Sequence, residues 1–329
     1  MKLSRLGVQY SYRRLLITGL FFSGSLLFFS MGNAQERLYP NTFPAADVEL
    51  LAGPFQHARD LNIHTLLQYN VDRLTAPYRK EAELPEKAKG YTNWEGLDGH
   101  VGGHYLSALA INYAASANAE CKKRMDYILA ELKECQEANS THHPDWGVGY
   151  VGGVPNSKTI WSTFKKGDLT AFRAAWVPWY NVHKMYSGLR DVWLYTGNET
   201  AKKIFLDFCD WGMMITAHLT ESQMQSMLDI EHGGMNEIFA DAYQISRNEK
   251  YLVAAKRFSH RALLEPMAEA KDNLDNKHAN TQVPKAVGFG RIAELTGDKT
   301  YANAASFFWQ TVTGNRSLAF GGNSRREFF

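Results

Sequence analysis

Apolar positions along this chain recur mostly with a helical period. Between Pro54 and Leu74, Leu61, His64, Leu67 and Leu74 fall on roughly one face, which predicts a helix. Residues 76–98 are rich in Pro, Gly and Lys and read as loop. Val101–Ala115 is an apolar helix opened by Gly102-Gly103, and Glu120–Asn139 is its polar-faced partner. A long aromatic, Gly-rich stretch follows from His142 to Trp176. Three helix pairs then succeed one another: Tyr180–Thr196 with Glu199–Leu219, Gly234–Ile245 with Glu249–Leu264, and Ala279–Leu295 with Lys299–Thr313. The first helix of each pair is the more apolar, as in Ala286-Val287-Gly288-Phe289. The second carries charge, as in Lys202-Lys203 and Lys256-Arg257. Period-two patterns, the mark of strands, are scarce.

The pairs share a phase. The turns Thr196-Gly197-Asn198-Glu199, Ser246-Arg247-Asn248-Glu249 and Thr296-Gly297-Asp298-Lys299 recur at fifty-residue intervals. One histidine precedes each turn, by 13, 14 and 18 residues: His183, His232 and His278. An inner apolar row and an outer amphipathic row predict an all-α helical toroid with histidines along one rim. Open solenoids repeat at about 33–47 residues, shorter than this period. About five pairs are present, and a six-pair (α/α)6-barrel needs more chain, so an incomplete toroid is expected.

Composition narrows the picture modestly. The 329 residues suffice for one large domain or two ordinary ones. Charge is nearly balanced, 36 Lys+Arg against 34 Asp+Glu, with no basic stripe to suggest a nucleic-acid partner. Aromatic residues make up 13%, read as core first and as sugar-binding surface second. The insertion at 142–176, with Trp146, Tyr150, Trp161 and Phe164, is long enough to suggest a functional loop. Cys121, Cys135 and Cys209 are an odd number, and the first two lie on one predicted helix. They read as buried small hydrophobes rather than a disulfide framework.

The first 34 residues carry Arg13-Arg14, the apolar run Leu15–Phe22 continued by Leu26–Phe29, and a small-residue cleavage pattern ending at Ala34. This is a secretory signal peptide, and Arg13-Arg14 is a faint sign of twin-arginine export. It predicts a periplasmic or extracellular protein with no stable membrane anchor after cleavage. Residues 35–329 are left as one partial-toroid domain.

Five constellations carry candidate chemistry. Trp94-Glu95-Gly96-Leu97-Asp98-Gly99-His100-Val101-Gly102-Gly103-His104 brings glycine-flanked backbone to a helix N-terminus, with His100 and His104 on one face. That pair reads as a metal couple, as donors to sugar hydroxyls or as structure; a zincin's interposed Glu is missing. Asn181-Val182-His183-Lys184, Glu231-His232-Gly233-Gly234-Met235-Asn236-Glu237 and Lys277-His278-Ala279-Asn280-Thr281-Gln282 hold the phased histidines. His57, His64, His142, His143, His218 and His260 show no such phase. The last constellation, Gly321-Gly322-Asn323-Ser324-Arg325-Arg326-Glu327-Phe328, presents a carboxyl beside aromatics. It suits a glycosidase general acid whose pKa apolar neighbours raise, and equally a salt bridge to Arg325 or Arg326.

Taken together, these motifs resemble the bacterial β-L-arabinofuranosidases of glycoside hydrolase families 127 and 146 across nearly all of the mature segment, the His100/His104 segment being closer to the second. The resemblance implies an (α/α)6-barrel followed by β-sandwich domains, and retaining hydrolysis of terminal β-L-arabinofuranosyl groups from plant pectin or arabinan side chains. It implies Glu327 as general acid/base. His104, His183, His232, His278, Asp98 and Trp94 would contact an oligosaccharide or polysaccharide substrate. It also implies a zinc-bound Cys nucleophile with further Cys and Glu ligands. Cys121, Cys135 and Cys209 match none of these, so the zinc is expected only in a full-length enzyme, and no metal ligands in this segment. A non-catalytic carbohydrate-binding toroid, or another α-toroid enzyme such as a glucuronyl hydrolase or sugar epimerase, is the alternative.

Overall fold

The computed structural model describes residues 38–39, 42–92 and 96–329; the signal segment and Trp94 lie outside the described residues. Beyond one short 3-10 turn and two isolated β-bridges, the regular structure described is α-helical, as the periodicity predicts. The helices are α1 (Pro54–Leu66), α2 (Val71–Glu81), α3 (His100–Ser116), α4 (Ala119–His142), α5 (Ser157–Phe164), α6 (Thr170–Ala174) and α7 (Pro178–Thr196). They continue with α8 (Glu199–Thr216), α9 (Glu221–Ile230), α10 (Met235–Ser246), α11 (Glu249–Arg257), α12 (Arg261–Ala268), α13 (Ala279–Thr296) and α14 (Lys299–Asn315).

Helices α3, α7, α10 and α13 pack in succession as an inner row, and each is followed by an outer partner, α4, α8, α11 and α14. Every inner helix ends in a left-handed residue: Ala117 (φ 53°), Gly197 (φ 68°), Arg247 (φ 60°) or Gly297 (φ 70°). The next side chain, Asn118, Asn198, Asn248 or Asp298, then accepts backbone N–H bonds at the start of the outer helix. Each such cap contributes about 1 kcal/mol. The residue before each left-handed position, Ser116, Thr196, Ser246 or Thr296, bonds back to the carbonyl four residues earlier. The turn at 116–119 is thus a fourth copy, which the fifty-residue period misses because the aromatic insertion separates it from the rest.

Several boundaries differ from the sequence reading. The stretch 54–74 is two helices, and α2 runs on to Glu81, into residues expected as loop; Asn70 caps its start. The stretch 249–264 is likewise broken, with α12 beginning after His260. The aromatic insertion is core rather than an exposed loop: Trp146, Tyr150, Trp161, Phe164 and Phe172 are buried against Trp179 and Trp211. Its backbone is held in turn, since the Trp211 indole donates to the Trp146 carbonyl at 2.8 Å.

Inner helices approach closely where side chains are absent. A Cβ on Gly103 would run into the Lys184 backbone, so the α3–α7 crossing requires glycine there. Below that crossing lies a buried polar seam. Ser107 Oγ donates to Asp191 (2.6 Å), and Arg190 bonds Asp191, Glu237 and Asp241 (3.0, 3.0 and 2.8 Å). Arg291 completes the line on Asp241 at 2.7 Å and also donates to the Leu38 carbonyl. Asp241 is fully buried and serves two guanidiniums.

Removing that shared carboxylate takes one ionic partner from each of two buried guanidiniums. Asp241→Ala is expected to cost about 3–5 kcal/mol, read as a lower denaturant midpoint at unchanged slope. A shift worth under about 1 kcal/mol, the size of an exposed pair, would show that the seam is not needed.

Candidate active site

At one end of the inner helices, aromatic and imidazole rings form a continuous row. His104 meets His100 (6.1 Å between ring centres), His100 meets Tyr180 (6.0 Å), Tyr180 meets His232 (4.8 Å) and His232 meets His278 (5.5 Å). Three of the predicted sugar-binding histidines, His104, His232 and His278, therefore lie along one line. His183 belongs to the same cluster but lies beneath it, only 7% exposed. Gly234 (φ 116°) passes over its imidazole so closely that any Cβ there would strike the ring. Asp98 is half-buried at the start of α3. Its carboxylate accepts the Gly96 N–H (3.1 Å), and its carbonyl accepts from the Asn181 amide (2.6 Å). It braces the loop that delivers His100.

Glu327 arrives at the far end of the row on a two-residue hairpin. Arg325 and Phe328 exchange backbone bonds of 2.7 and 3.1 Å around Arg326 (φ 51°) and Glu327 (φ 72°). Both turn residues are left-handed, as this tight connection demands. The arm pairs with the segment before α13: Ala279 N–H donates to the Glu327 carbonyl (2.7 Å) and Phe329 N–H to that of Lys277 (3.0 Å). This sets Glu327 Oε2 3.0 Å from His278 Nε2. Glu327 is thus partnered by His278, and its side chain is 74% exposed rather than sunk among apolar groups.

The tautomer of His278 follows from its other nitrogen. His278 caps α13, and its Nδ1 accepts the Thr281 N–H at 3.2 Å. The ring proton then resides on Nε2 and is donated to Glu327. Thr281, which the sequence reading left without a role, fixes the direction of this bond.

Three of these imidazoles, His104, His183 and His232, are held toward the neutral form. Burial first, then Lys184 and His100, push His104 down to about 4. Burial, then His278 and Lys184, push His232 to about 4. Buried His183 is also held well below its ordinary value by desolvation, then by Lys184 and Arg190. A neutral imidazole offers one donor and one acceptor, which suits hydroxyl groups. The buried Nδ1 atoms of His183 and His232 meet no protein partner among the described residues.

Two further buried groups support the row. Glu231, 2% exposed, accepts the Trp179 N–H (3.4 Å) at the start of α7, where no local side chain caps the helix. Burial raises it to about 8. Buried Lys285 donates to the Leu228 carbonyl (2.6 Å), lies 3.0 Å from His260 Nδ1, and is pushed down by burial to about 7. Glu231 stood next to a predicted histidine; the only signal for it was an acid flanked by Ile230 and His232 where α9 ends. A separate groove of about 930 Å³ lies between α4 and α8, lined by Lys133, Glu137, Lys203 and Asp207 among others, and contains none of the predicted site residues.

Among the described residues, no group of three His, Cys, Asp or Glu side chains is placed to hold a metal ion. Cys121, Cys135 and Cys209 are buried in the core, and burial raises each thiol, Cys135 to about 12.

Unfolded histidines take up protons near 6.5 and these two near 4, so their neutral burial destabilises the fold progressively as pH falls through that window. Side-chain NMR should find the His104 and His232 rings still neutral at about pH 5. A midpoint near 6.5 for either ring would contradict the packing described here.

A family model described as β-L-arabinofuranosidase, GH127 catalytic domain, matches residues 47–329. A search of curated proteins finds no match. Among solved structures, one titled "The GH127, Beta-arabinofuranosidase, BT3674" superposes with a TM-score of 0.53 at 14% identity, covering 86% of this chain and 45% of that one. The likeness supports the fold, and the chain spans less than half the length of that structure.

Proposed function

Because the chain belongs to the GH127 β-L-arabinofuranosidase family, we propose that it forms the sugar-holding and proton-donating part of an exported glycoside hydrolase. The hydrolase would release terminal β-L-arabinofuranosyl groups from plant polysaccharide side chains with retention. The observation that carries this reading is the pairing of Glu327 with His278 at the end of the row of rings. In that reading His104, His183, His232 and His278 exchange hydrogen bonds with sugar hydroxyls. Asp98 holds the loop at the row's other end, and Trp94 lies beside it in sequence. Glu327 moves the proton: as the acid it protonates the leaving oxygen, and as the carboxylate it accepts a proton from water.

Retention needs a second group to attack the sugar. Zinc, where bound, would lower the pKa of an attacking thiolate. The donors described here do not fit that metal, because the three thiols are buried in the core and raised above their ordinary range. No step is therefore assigned to zinc, and this 329-residue chain is proposed to bind arabinofuranosides without turning them over.

Calorimetry of the purified protein with methyl β-L-arabinofuranoside should show binding, weakened about tenfold or more by His232→Ala, the loss of a buried hydrogen-bonding group. No release of aryl alcohol from an aryl β-L-arabinofuranoside is expected. Turnover would overturn the non-catalytic part of the proposal. Absence of binding would overturn the sugar-site part. The non-catalytic carbohydrate-binding alternative is distinguished by a longer gene product: hydrolysis there, abolished by Glu327→Gln, excludes it.

A further inference from the structure

Lys184 occupies an unusual position. It lies on α7 beside His183, half-buried, with its ammonium 4.5 Å above the Tyr180 ring. Tyr180 is the central member of the ring row. Among the described residues Lys184 meets no carboxylate. Glu237, the acid that bears on it, is bonded to Arg190 at 3.0 Å. The acids at the two ends of the row are also engaged, Asp98 by the Gly96 N–H and Glu327 by His278.

Other cations withdrawn from solvent in this protein are treated differently. Arg79 bonds Glu131 and Glu134, Arg190 and Arg291 share Asp241, and Lys285 has a carbonyl acceptor. A half-buried ammonium supported only by an aromatic face keeps unspent capacity for an anion. The imidazoles it bears on, His100, His104, His183 and His232, are neutral, so they do not compete with it for negative charge. His100 gives its N–H to the Leu97 carbonyl at 2.6 Å.

We propose that Lys184 forms an anion subsite in the histidine row, so that the glycan held there carries a carboxylate near the bound sugar, as a uronic acid does. The subsite rests on the reading of this row as a sugar site, and it names the acidic character of the glycan rather than its arabinofuranosyl end. Tyr180 sets the height of the ammonium, and Glu231, through the start of α7, sets Tyr180.

The test compares methyl α-D-galacturonide with methyl α-D-galactoside, which differ by a carboxylate in place of a hydroxymethyl group, by calorimetry on the whole protein. The acid should bind about tenfold more tightly at low salt, and the preference should shrink in 0.5 M NaCl as screening grows. Lys184→Met should reduce the preference to less than about twofold, and Lys184→Arg should restore most of it. That rescue separates lost charge from lost packing. Equal affinities, no measurable binding of the acid, or a preference that survives Lys184→Met would overturn the subsite. Methyl β-L-arabinofuranoside is titrated alongside. Binding of that sugar without any acid preference removes the subsite and leaves the arabinofuranose reading intact. The reverse pattern removes the arabinofuranose reading and keeps the subsite.

Discussion

Asp241 ties the inner helices together. Its two oxygens face Arg190 from α7 and Arg291 from α13 while it sits on α10 itself. A carboxylate with no solvent contact is tolerable only because both oxygens meet cations. Ser107 extends the line to α3 through Asp191. Four helices thereby acquire a fixed relative register, to which the Asn236 amide on the Lys285 carbonyl adds between α10 and α13. Such a seam adds less to stability than apolar filling of the same volume often does; what it supplies is a definite alignment.

The ring row depends on that alignment. His183, Tyr180 and Lys184 leave α7 on the turns before Arg190, and His232 and Gly234 precede α10 shortly before Glu237 and Asp241. His278 caps α13, which carries Arg291. If one helix slid by a turn, Gly234 would no longer clear the His183 imidazole, and Tyr180 would lose its place between His100 and His232. The site is therefore a by-product of register.

Much of this was legible in the sequence. The three turns declared the helix pairs because a left-handed residue followed by Asn or Asp has one structural meaning between two helical patterns. The histidine phase placed His232 and His278 together correctly. The seam was hidden although Arg190, Asp241 and Arg291 follow nearly the same fifty-residue interval. A charged residue within a helix reads as solvated until its partners on neighbouring helices are known. The aromatic insertion bears out the reading of these rings as core, since Trp146, Tyr150, Trp161 and Phe164 fold inward. Thr281 and Glu231, quoted within the histidine motifs, received no role of their own because such roles are set by which backbone N–H groups lie nearby, which depends on tertiary placement.

The arm that carries Glu327 differs in kind from everything it serves. His104 and His183 ride on helices, and His232 and His278 stand just before two others. The carboxyl rides on a hairpin tip joined to the segment before α13 by a few backbone bonds, with exposed side chains around it. Amide protons in the few backbone bonds of this arm are expected to exchange faster than those inside α7 and α10. On the proposed reading, sugar binding and proton delivery would fall to elements of different kind, the ends of packed helices and the tip of a hairpin.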